Sequence, residues 1–277
     1  MYLVERVESR SSFFEVFFLA FRNRELLFEL VKRELNEQFM GGVLGAIWIV
    51  FHPLFLIAVY IFVFGFVFKN KIGGSYELPL DYTTYILSGL IPWLNLQQVL
   101  AKSCSAITSN AGLVKQVIFP IELLPIKSML ATVPNQLISM AALLIYVLFR
   151  YHAVPWSYLA LPLLMVFQIM MSIGLSFMLS ATTTFVRDIK EVVNVFSFAG
   201  MFLLPIVYLP AWVPNAFKPL VYCNPFSYMI WCYQDVFYFG RMEHPIAWVV
   251  FALLSLGTLS FGLYVFRSLK THFGDVL

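Results

Sequence analysis

Residues 43–68 read VLGAIWIVFHPLFLIAVYIFVFGFVF, and this stretch contains no aspartate, glutamate, lysine or arginine. A helix of about 20 apolar residues is long enough to cross the hydrocarbon core of a bilayer, which is roughly 30 Å thick. The stretch therefore predicts a membrane-spanning helix.

Five further apolar stretches of comparable length follow the first one. They cover residues 82–108, 124–149, 158–186, 190–209 and 246–266. We therefore predict an all-α, polytopic membrane protein with six transmembrane helices. We treat the whole chain, residues 1–277, as one domain with a short tail at 267–277.

Polar residues and prolines interrupt some of these stretches. The second stretch is the least apolar, so we expect other helices or a wet cavity to shield it from lipid. Its polar residues are Asn95, Gln97, Gln98 and Lys102. Prolines should kink or end helices where neighbouring groups satisfy the freed carbonyls. These prolines are Pro53, Pro92, Pro125 and Pro134.

The composition excludes a soluble fold. Hydrophobic residues make up 61% of the chain and charged residues 12%, and the mean hydropathy is +0.83. Ordinary globular domains are roughly half apolar and a quarter charged. The net charge of +3 is small and its cations are dispersed, so no nucleic-acid partner is indicated.

An amphipathic helix is predicted for residues 12–38, where phenylalanine and aliphatic residues recur at three- and four-residue steps. Such a helix lies on a membrane surface or packs against a partner. The first forty residues lack the compact apolar core of a cleavable signal, so we expect the amino terminus to stay in the cytoplasm. With that orientation, thirteen lysines and arginines face the cytoplasm and five face outward, as the positive-inside rule requires.

The segment 210–245 is apolar and aromatic, but four prolines divide it into pieces too short to span. Re-entrant helices that dip from the outer face fit this pattern, and a folded external loop is the alternative. Cys223 and Cys232 in this segment either form a disulfide or are ordinary buried thiols. With Cys104 they form no CxxC pair, so no zinc site is predicted.

Catalytic motifs are absent from the sequence. The phosphate-binding pattern GxxxxGK[ST] does not occur, so the chain cannot hydrolyse ATP alone, and neither HExxH nor GxSxG occurs. No catalytic, metal-binding or cofactor-binding residues are predicted. The spans also lack buried acidic pairs, which disfavours ion-coupled transport.

The connection Asn110–Pro125 is a short amphipathic segment on the predicted cytoplasmic side. It either docks into a groove of a partner and transmits its motion, or it is an ordinary loop with solvated charges. The candidate residues for docking are Leu113, Lys115, Phe119 and Glu122.

Five sequence features occur together along the chain. They are Val43–Trp48 with Pro53, Leu54, Tyr60 and Phe64; Gly89–Trp93; Asn110–Pro125; Arg187–Ile189; and Asn224–Phe226. In this order they make the chain resemble the membrane subunits of type-2 ABC exporters, in particular the permeases for O-antigen, capsule and teichoic-acid polymers. Gln38–Met40 departs from the family, which usually carries an Arg-Tyr-Arg/Lys type sequence there, so a lipid-phosphate role at that position is in doubt.

The resemblance implies a multi-pass protein of the bacterial inner membrane that acts as a homodimer with two separate ATP-binding cassette subunits. Those partners would bind ATP and Mg²⁺, and no cofactor is expected in this chain. The resemblance also implies a coupling helix in Asn110–Pro125 and re-entrant gate helices before the last span. The expected cargo is a lipid-linked polysaccharide, and membrane lipids are the other expected contacts.

Aromatic residues make up 18% of the chain, and a lumen lined by rings would let sugar faces slide. Lipid contact or helix packing is the alternative for each ring. The candidates for channel lining are Tyr60, Tyr85 and Trp93, and those for an outer gate are Phe226, Tyr228 and Trp231. Ser172, Ser176 and Ser180 form a hydroxyl face on the fourth span that indicates close helix packing or substrate contact.

Two other functions fit parts of this pattern. One is a type-2 ABC exporter of a small amphiphile such as a drug or lipid. The other is a membrane-embedded glycan-processing enzyme, for which Asp235 and Glu243 are the candidate carboxylates.

Overall fold

The computed structural model describes residues 13–39, 45, 47–67, 80–115, 119–152 and 155–276, and these residues form helices and no β-strand. The α-helices are α1 (Phe13–Arg22), α2 (Arg24–Phe39), α3 (Ile47–Tyr60), α4 (Tyr82–Ser103), α5 (Ala111–Val114), α6 (Leu123–Leu130), α7 (Val133–Tyr151), α8 (Leu161–Phe185), α9 (Ile189–Leu203), α10 (Lys218–Tyr222), α11 (Pro225–Gln234), α12 (Pro245–Lys270) and α13 (Phe273–Val276). π-Helical turns extend α3 over Ile61–Val67 and α11 over Asp235–Phe239, and 3₁₀ turns cover Thr108–Asn110, Trp156–Ala160, Pro210–Trp212 and Asn215–Phe217.

Four helical stretches are long and apolar enough to cross a membrane. They are Ile47–Val67, Leu123–Tyr151, Trp156–Phe185 and Pro245–Lys270. The first predicted span is therefore helical over Ile47–Val67, and Gly45 is a turn residue before it. Residues 43, 44, 46 and 68 of this span lie outside the described residues. The second and fifth predicted spans correspond to α4, which carries many polar side chains, and to α9, which has 15 residues.

Three predicted spans differ from the helices observed, and prolines explain two of the differences. Leu204 is extended before Pro205, so α9 ends at Leu203 and not at residue 209. The third predicted span is broken between Leu130 and Val133, because Pro134 has no N–H and its ring would clash with the carbonyl of residue 130 in a continuous helix. The second predicted span ends as an α-helix at Ser103 instead of residue 108.

Helices α4, α8 and α12 run in the same direction. In each contacting pair, residues early in one helix contact residues early in the other, and later residues contact later ones. The paired residues are Pro92 with Gln168 and Ser103 with Ser176 for α4 and α8, and Phe167 with Phe251 and Phe177 with Phe266 for α8 and α12. We call the end of the bundle at which α4, α8 and α12 finish the base, and the opposite end the crown.

Helices α3, α7 and α9 run in the opposite direction, from base to crown. The paired residues are Phe64 with Tyr82 and His52 with Gln98 for α3 and α4, Thr132 with Asn95 and Tyr151 with Asp81 for α7 and α4, and Ser197 with Gln97 and Pro205 with Tyr85 for α9 and α4. The six long helices therefore alternate in direction along the chain.

Small residues allow α8 and α12 to approach closely. A Cβ atom at Gly174 would overlap the backbone of Thr258, and one at Gly262 would overlap the backbone of Gly174. The hydroxyl face of α8, formed by Ser172, Ser176 and Ser180, is also buried. The Oγ atoms of Ser176 and of Ser103 in α4 lie 2.6 Å apart. These contacts support the packing interpretation of the serines, as is common for small residues between membrane helices.

The predicted amino-terminal helix is two helices, since α1 and α2 are separated at Asn23, whose amide donates to the carbonyl oxygen of Leu19 over 2.9 Å. Leu27 and Leu30 of α2 are buried against the bundle, whereas Phe18 and Phe21 of α1 are about two thirds exposed. Residues 1–12, including the amino terminus, lie outside the described residues.

Candidate transport sites

Trp93 packs the middle of α4 against α9. Its side chain is fully buried, and its ring contacts Phe196 and Phe226 with centroid distances of 6.0 and 5.9 Å. A Cβ atom at Gly200 would overlap this ring, so α9 needs a glycine there to lie against α4. The indole Nε1 of Trp93 has no hydrogen-bond partner in the described part of the chain.

Tyr85 joins α4 to the segment that follows α9. Its hydroxyl lies 3.3 Å from the carbonyl oxygen of Pro205 and 3.2 Å from that of Tyr208, and Tyr82 donates to the carbonyl oxygen of Val207. These hydroxyls provide partners for backbone carbonyls of a segment that lies outside any helix. The ring of Tyr85 also meets Tyr238 at a centroid distance of 5.1 Å.

Tyr60, the third predicted channel residue, lies apart from Trp93 at the crown half of α3. It is half-buried, stacks on Phe64 with a centroid distance of 6.2 Å, and its hydroxyl approaches the Sδ of Met201 at 3.8 Å. It lines a narrow cleft of about 20 Å³, room for about one water, whose walls include His52 and Asn95. Among the described residues, Tyr85 and Trp93 are buried and Tyr60 lines this narrow cleft, and the lining role of all three stays a prediction.

The predicted gate segment folds into α10 and α11. Asn224 caps α11 by accepting from the Phe226 N–H at 3.1 Å, and Pro225 fits the first helical turn, where no donor is needed. α11 begins beside Trp93, in the middle of α4, and its π-helical extension reaches the crown, where Phe237 contacts Tyr158.

The other two predicted gate residues differ in exposure. Trp231 is buried and stacks on His244 with a centroid distance of 5.5 Å, whereas Tyr228 is partly exposed and donates to the carbonyl oxygen of Tyr222 over 2.7 Å. Their gating role stays a prediction. Cys232 is buried and Cys223 is exposed, and both are free thiols.

Asp235 closes the turn between α11 and α12. Its buried carboxylate accepts from the backbone N–H of His244 at 3.0 Å and from Nε1 of Trp248 at 2.9 Å, and it lies 2.7 Å from Nδ1 of His244. Glu243 is instead exposed and paired with Arg241 at 2.8 Å. Both carboxylates therefore have structural partners, and neither lies in a pocket that brings catalytic groups together.

A buried amide network, which the sequence analysis did not predict, joins four helices. Gln168 of α8 accepts from Gln136 of α7 and from Tyr233 of α11, both at 2.6 Å. Its Nε2 donates to the carbonyl oxygen of Pro92 at 3.1 Å and to Oδ1 of Asn95 at 3.2 Å. Glutamines inside apolar stretches were the available signal, because buried amides require partners.

A second unpredicted cluster lies at the crown. Asp81 caps α4, and its carboxylate accepts from the hydroxyls of Tyr146 at 2.6 Å and Tyr151 at 2.8 Å. Both tyrosines come from α7, so this cluster fixes the crown ends of α4 and α7 together.

The predicted coupling connection lies at the base. α5 covers only Ala111–Val114, Lys115 is exposed, and Leu113 and Phe119 are partly buried. Residues 116–118 lie outside the described residues. Glu122 accepts from Nζ of Lys270, near the end of α12, at 2.6 Å. The connection is therefore tied directly to the last long helix, and its coupling role stays a prediction.

Glu34 of α2 binds two lysines at the base, and the sequence analysis did not predict this contact. Its carboxylate lies 2.7 Å from Nζ of Lys127 and 3.9 Å from that of Lys102, which also donates to Gln38 at 3.0 Å. Nζ of Lys127 also lies 3.5 Å from Oδ1 of Asn110, within the coupling connection. Lys127 is thus a buried cation between α2 and the connection.

No group of three or more histidine, cysteine, aspartate or glutamate side chains that could hold a metal ion occurs among the described residues. Arg187 and Asp188 are exposed at the base between α8 and α9.

Comparison with known proteins gives matches over most of the chain. A family model described as ABC-2 type transporter matches residues 25–238. The chain is 25% identical over 256 residues to the O-antigen export system permease protein RfbA of Klebsiella pneumoniae, covering 91% of this chain and 95% of that protein. It is 23% identical over 257 residues to the RfbA of Myxococcus xanthus, covering 92% and 96%. It is 20% identical over 240 residues to the polysialic acid transport protein KpsM of Escherichia coli, covering 86% and 91%.

Proposed function

We propose that this chain, which belongs to the ABC-2 type transporter family, is the membrane channel subunit of an ATP-driven exporter for a lipid-linked polysaccharide. The observation that carries this proposal is the match, over about nine tenths of the chain, to permeases named for O-antigen and polysialic acid transport. A separate subunit hydrolyses ATP, because the chain lacks a phosphate-binding loop.

The chain crosses the membrane six times in this proposal. The alternating directions of α3, α4, α6–α7, α8, α9 and α12 support six crossings. α4 is 22 residues and therefore roughly 33 Å long. α9 is only about 22 Å long, but the Leu204–Leu209 segment continues it toward the crown, where Tyr82 contacts Val207.

The base faces the cytoplasm, and both chain ends lie on that side. The contacts of α2 with Lys102 and Lys127 and the end of α12 support a common side for both ends. Seven lysines and arginines of the described residues lie near the base ends of the long helices, and three lie near the crown. They are Lys102, Lys115, Lys127, Arg187, Lys190, Arg267 and Lys270 at the base, and Arg150, Lys218 and Arg241 at the crown. The positive-inside rule places the richer side in the cytoplasm.

The segment after α9 forms a re-entrant gate. The contact of Phe226 with Trp93, which lies eleven residues into α4 and so about 16 Å from its crown end, supports a descent to mid-membrane. α11 then returns to the crown before α12 begins. Backbone that is buried within the protein in this way is tolerated at membrane depth.

Two copies of the chain and two ATP-binding subunits form the working exporter. The family of the chain supports a partnership with ATP-binding subunits, and its resemblance to polymer export permeases supports the pairing of two copies. The ATP-binding subunits contact the base through the connection that contains α5. Exposed Lys115 and the ion pair of Glu122 with Lys270 support this contact, because motion there would reach α12 directly.

Deletion in cells tests the proposed cargo. Cells of the source organism without this chain should lose the polysaccharide from their surface and accumulate the lipid-linked form inside, and the intact gene should restore export. A cell that keeps normal surface glycan, but becomes sensitive to a small amphiphile, would support the drug or lipid exporter and contradict the proposal.

A further inference from the structure

A cavity at the base lies between α1, α8 and α12, away from the residues proposed to form the passage. Its volume is about 240 Å³. It is lined by Phe18, Leu19 and Arg22 of α1, Glu122, Phe177 of α8, and Leu263 and Arg267 of α12. The walls thus combine an apolar part with two arginines.

The apolar part and the arginines are arranged by depth. Leu263 and Arg267 are one helical turn apart on α12, so Arg267 lies about 6 Å closer to the base. Phe177 lies eight residues before the end of α8, about 12 Å from its base end. Arg22 stands in the last turn of α1. A ligand in this cavity would place an apolar part toward the membrane interior and an anionic part at the membrane surface.

The charges favour an anionic group. Glu122 is the acidic residue of the lining, and Lys270 already neutralises it at 2.6 Å. Arg22 is exposed and forms no ion pair with another described side chain. Arg267 already interacts with another group of the protein. We therefore assign the main contact with the anion to Arg22. An arginine fork binds phosphate oxygens with two parallel hydrogen bonds.

We propose that this cavity binds an anionic phospholipid of the surrounding bilayer, with its phosphate at Arg22 and one acyl chain along Phe18 and Leu19, above the buried Phe177 and Leu263 that form the cavity floor. The exposed Phe18 and Phe21 of α1 favour a helix that lies within the lipid layer, next to such a ligand. The volume accommodates the upper part of one lipid, and its remaining chain stays in the bilayer. The bound lipid holds α1 beside Glu122, where the coupling connection meets α12.

The position of the cavity favours a lipid of the bilayer over the lipid carrier of the polysaccharide. The cavity is formed by α1, α8 and α12, whereas the predicted channel residues Tyr60, Tyr85 and Trp93 lie on α3 and α4. A carrier held here would have its sugar chain separated from those residues by packed helices. This inference does not depend on the identity of the cargo.

Lipid retention by the purified full-length chain tests the proposal. Native mass spectrometry would count phosphatidylglycerol and phosphatidylcholine bound after detergent exchange, and a thermal unfolding assay would follow stabilisation by each lipid. We expect preferential retention of phosphatidylglycerol and a loss of about fivefold in Arg22→Gln, the effect of one cation on an anionic lipid. Arg24→Gln is the matched control, because Arg24 lies over the Phe21 ring at 5.1 Å and does not line the cavity.

Three outcomes would overturn the proposal. The first is equal retention of both lipids by the unmodified chain. The second is an equal loss in Arg22→Gln and Arg24→Gln, which would indicate general surface charge. The third is displacement of phosphatidylglycerol from this cavity by a polyprenyl diphosphate at equal concentration, which would assign it to the carrier. Because Arg22 is exposed, Arg22→Gln should fold normally, and unchanged unfolding without added lipid verifies this.

Discussion

Gly200 of α9 lies so close to the indole ring of Trp93 in α4 that no Cβ atom fits between the helix and the ring. The close approach aligns α9 along α4 and lets Gln97 donate to the carbonyl oxygen of Ser197. It also buries the indole Nε1 without a partner among the described residues. The seam between α4 and α9 is therefore tightly packed at its centre.

Gly200→Ala should destabilise the folded chain by about 1–2 kcal/mol, because added volume in a packed core forces α9 away from α4. Trp93→Phe should suppress this loss, since it removes Cζ2 and Cη2, the ring atoms nearest the new methyl group. Gly257→Ala in α12 is the control, because nothing lies within 4 Å of a Cβ there. Unfolding of the purified variants in detergent measures all three. Equal stability of Gly200→Ala and Gly257→Ala would contradict this packing.

Gln168→Leu should lower the free energy of unfolding by roughly 1–3 kcal/mol, because it leaves buried partners in α4, α7 and α11 without their hydrogen bonds. Tyr233→Phe should cost less alone and less again when added to Gln168→Leu, since both remove one shared hydrogen bond and only the longer contact of Tyr233 with Gln136, at 3.4 Å, remains to be lost. A double-mutant cycle on the unfolding transition measures this coupling. Strictly additive effects would show that the two residues act independently.

Glu34→Gln should destabilise the chain by about 2–3 kcal/mol, because it leaves the buried ammonium group of Lys127 without its counterion. Glu37→Gln is the matched control on the same helix. Its partner is Arg33 at 3.1 Å and both side chains are more than half exposed, so its effect should be below about 1 kcal/mol. Lys127→Met in the Glu34→Gln background should restore stability, as measured by thermal unfolding. No recovery would mean that Glu34 acts through another contact.

Lys115→Ala should leave membrane insertion unchanged and reduce copurification of the ATP-binding subunit, because Lys115 is exposed on the proposed docking segment. Glu122→Gln should reduce copurification through the loss of its ion pair, so Lys270→Gln should have the same effect. Lys218→Ala at the crown is the control. Copurification and export that are unchanged in both Lys115→Ala and Glu122→Gln would refute the coupling role.

Hydropathy predicted where most long helices lie, because lipid contact requires runs of apolar residues whatever the neighbours are. It misplaced the end of α9, since Pro205 stops the helix inside an apolar stretch. An apolar average does not register the break before Val133 either, but Pro134 itself predicted a kink or helix end there.

The contacts of the candidate sites depend on residues far apart in the chain. Glu34 and Lys127 meet only after α2 and α6 have packed, and nothing in the sequence near either residue marks the other as its partner. Likewise, Trp93 was recognised as an aromatic candidate, but its contact with Gly200 depends on the register of α4 and α9. Composition describes a residue's preference for water or lipid, and only the packed helices decide its partner.

Reconstitution tests the central claim most directly. The purified chain and its ATP-binding partner would be placed in proteoliposomes with a lipid-linked polysaccharide, and glycan on the far side would be measured after addition of ATP and Mg²⁺. We predict glycan translocation that requires ATP and this chain and that stops when the partner cannot hydrolyse ATP. ATP hydrolysis without glycan movement, or equal movement without this chain, would contradict the account.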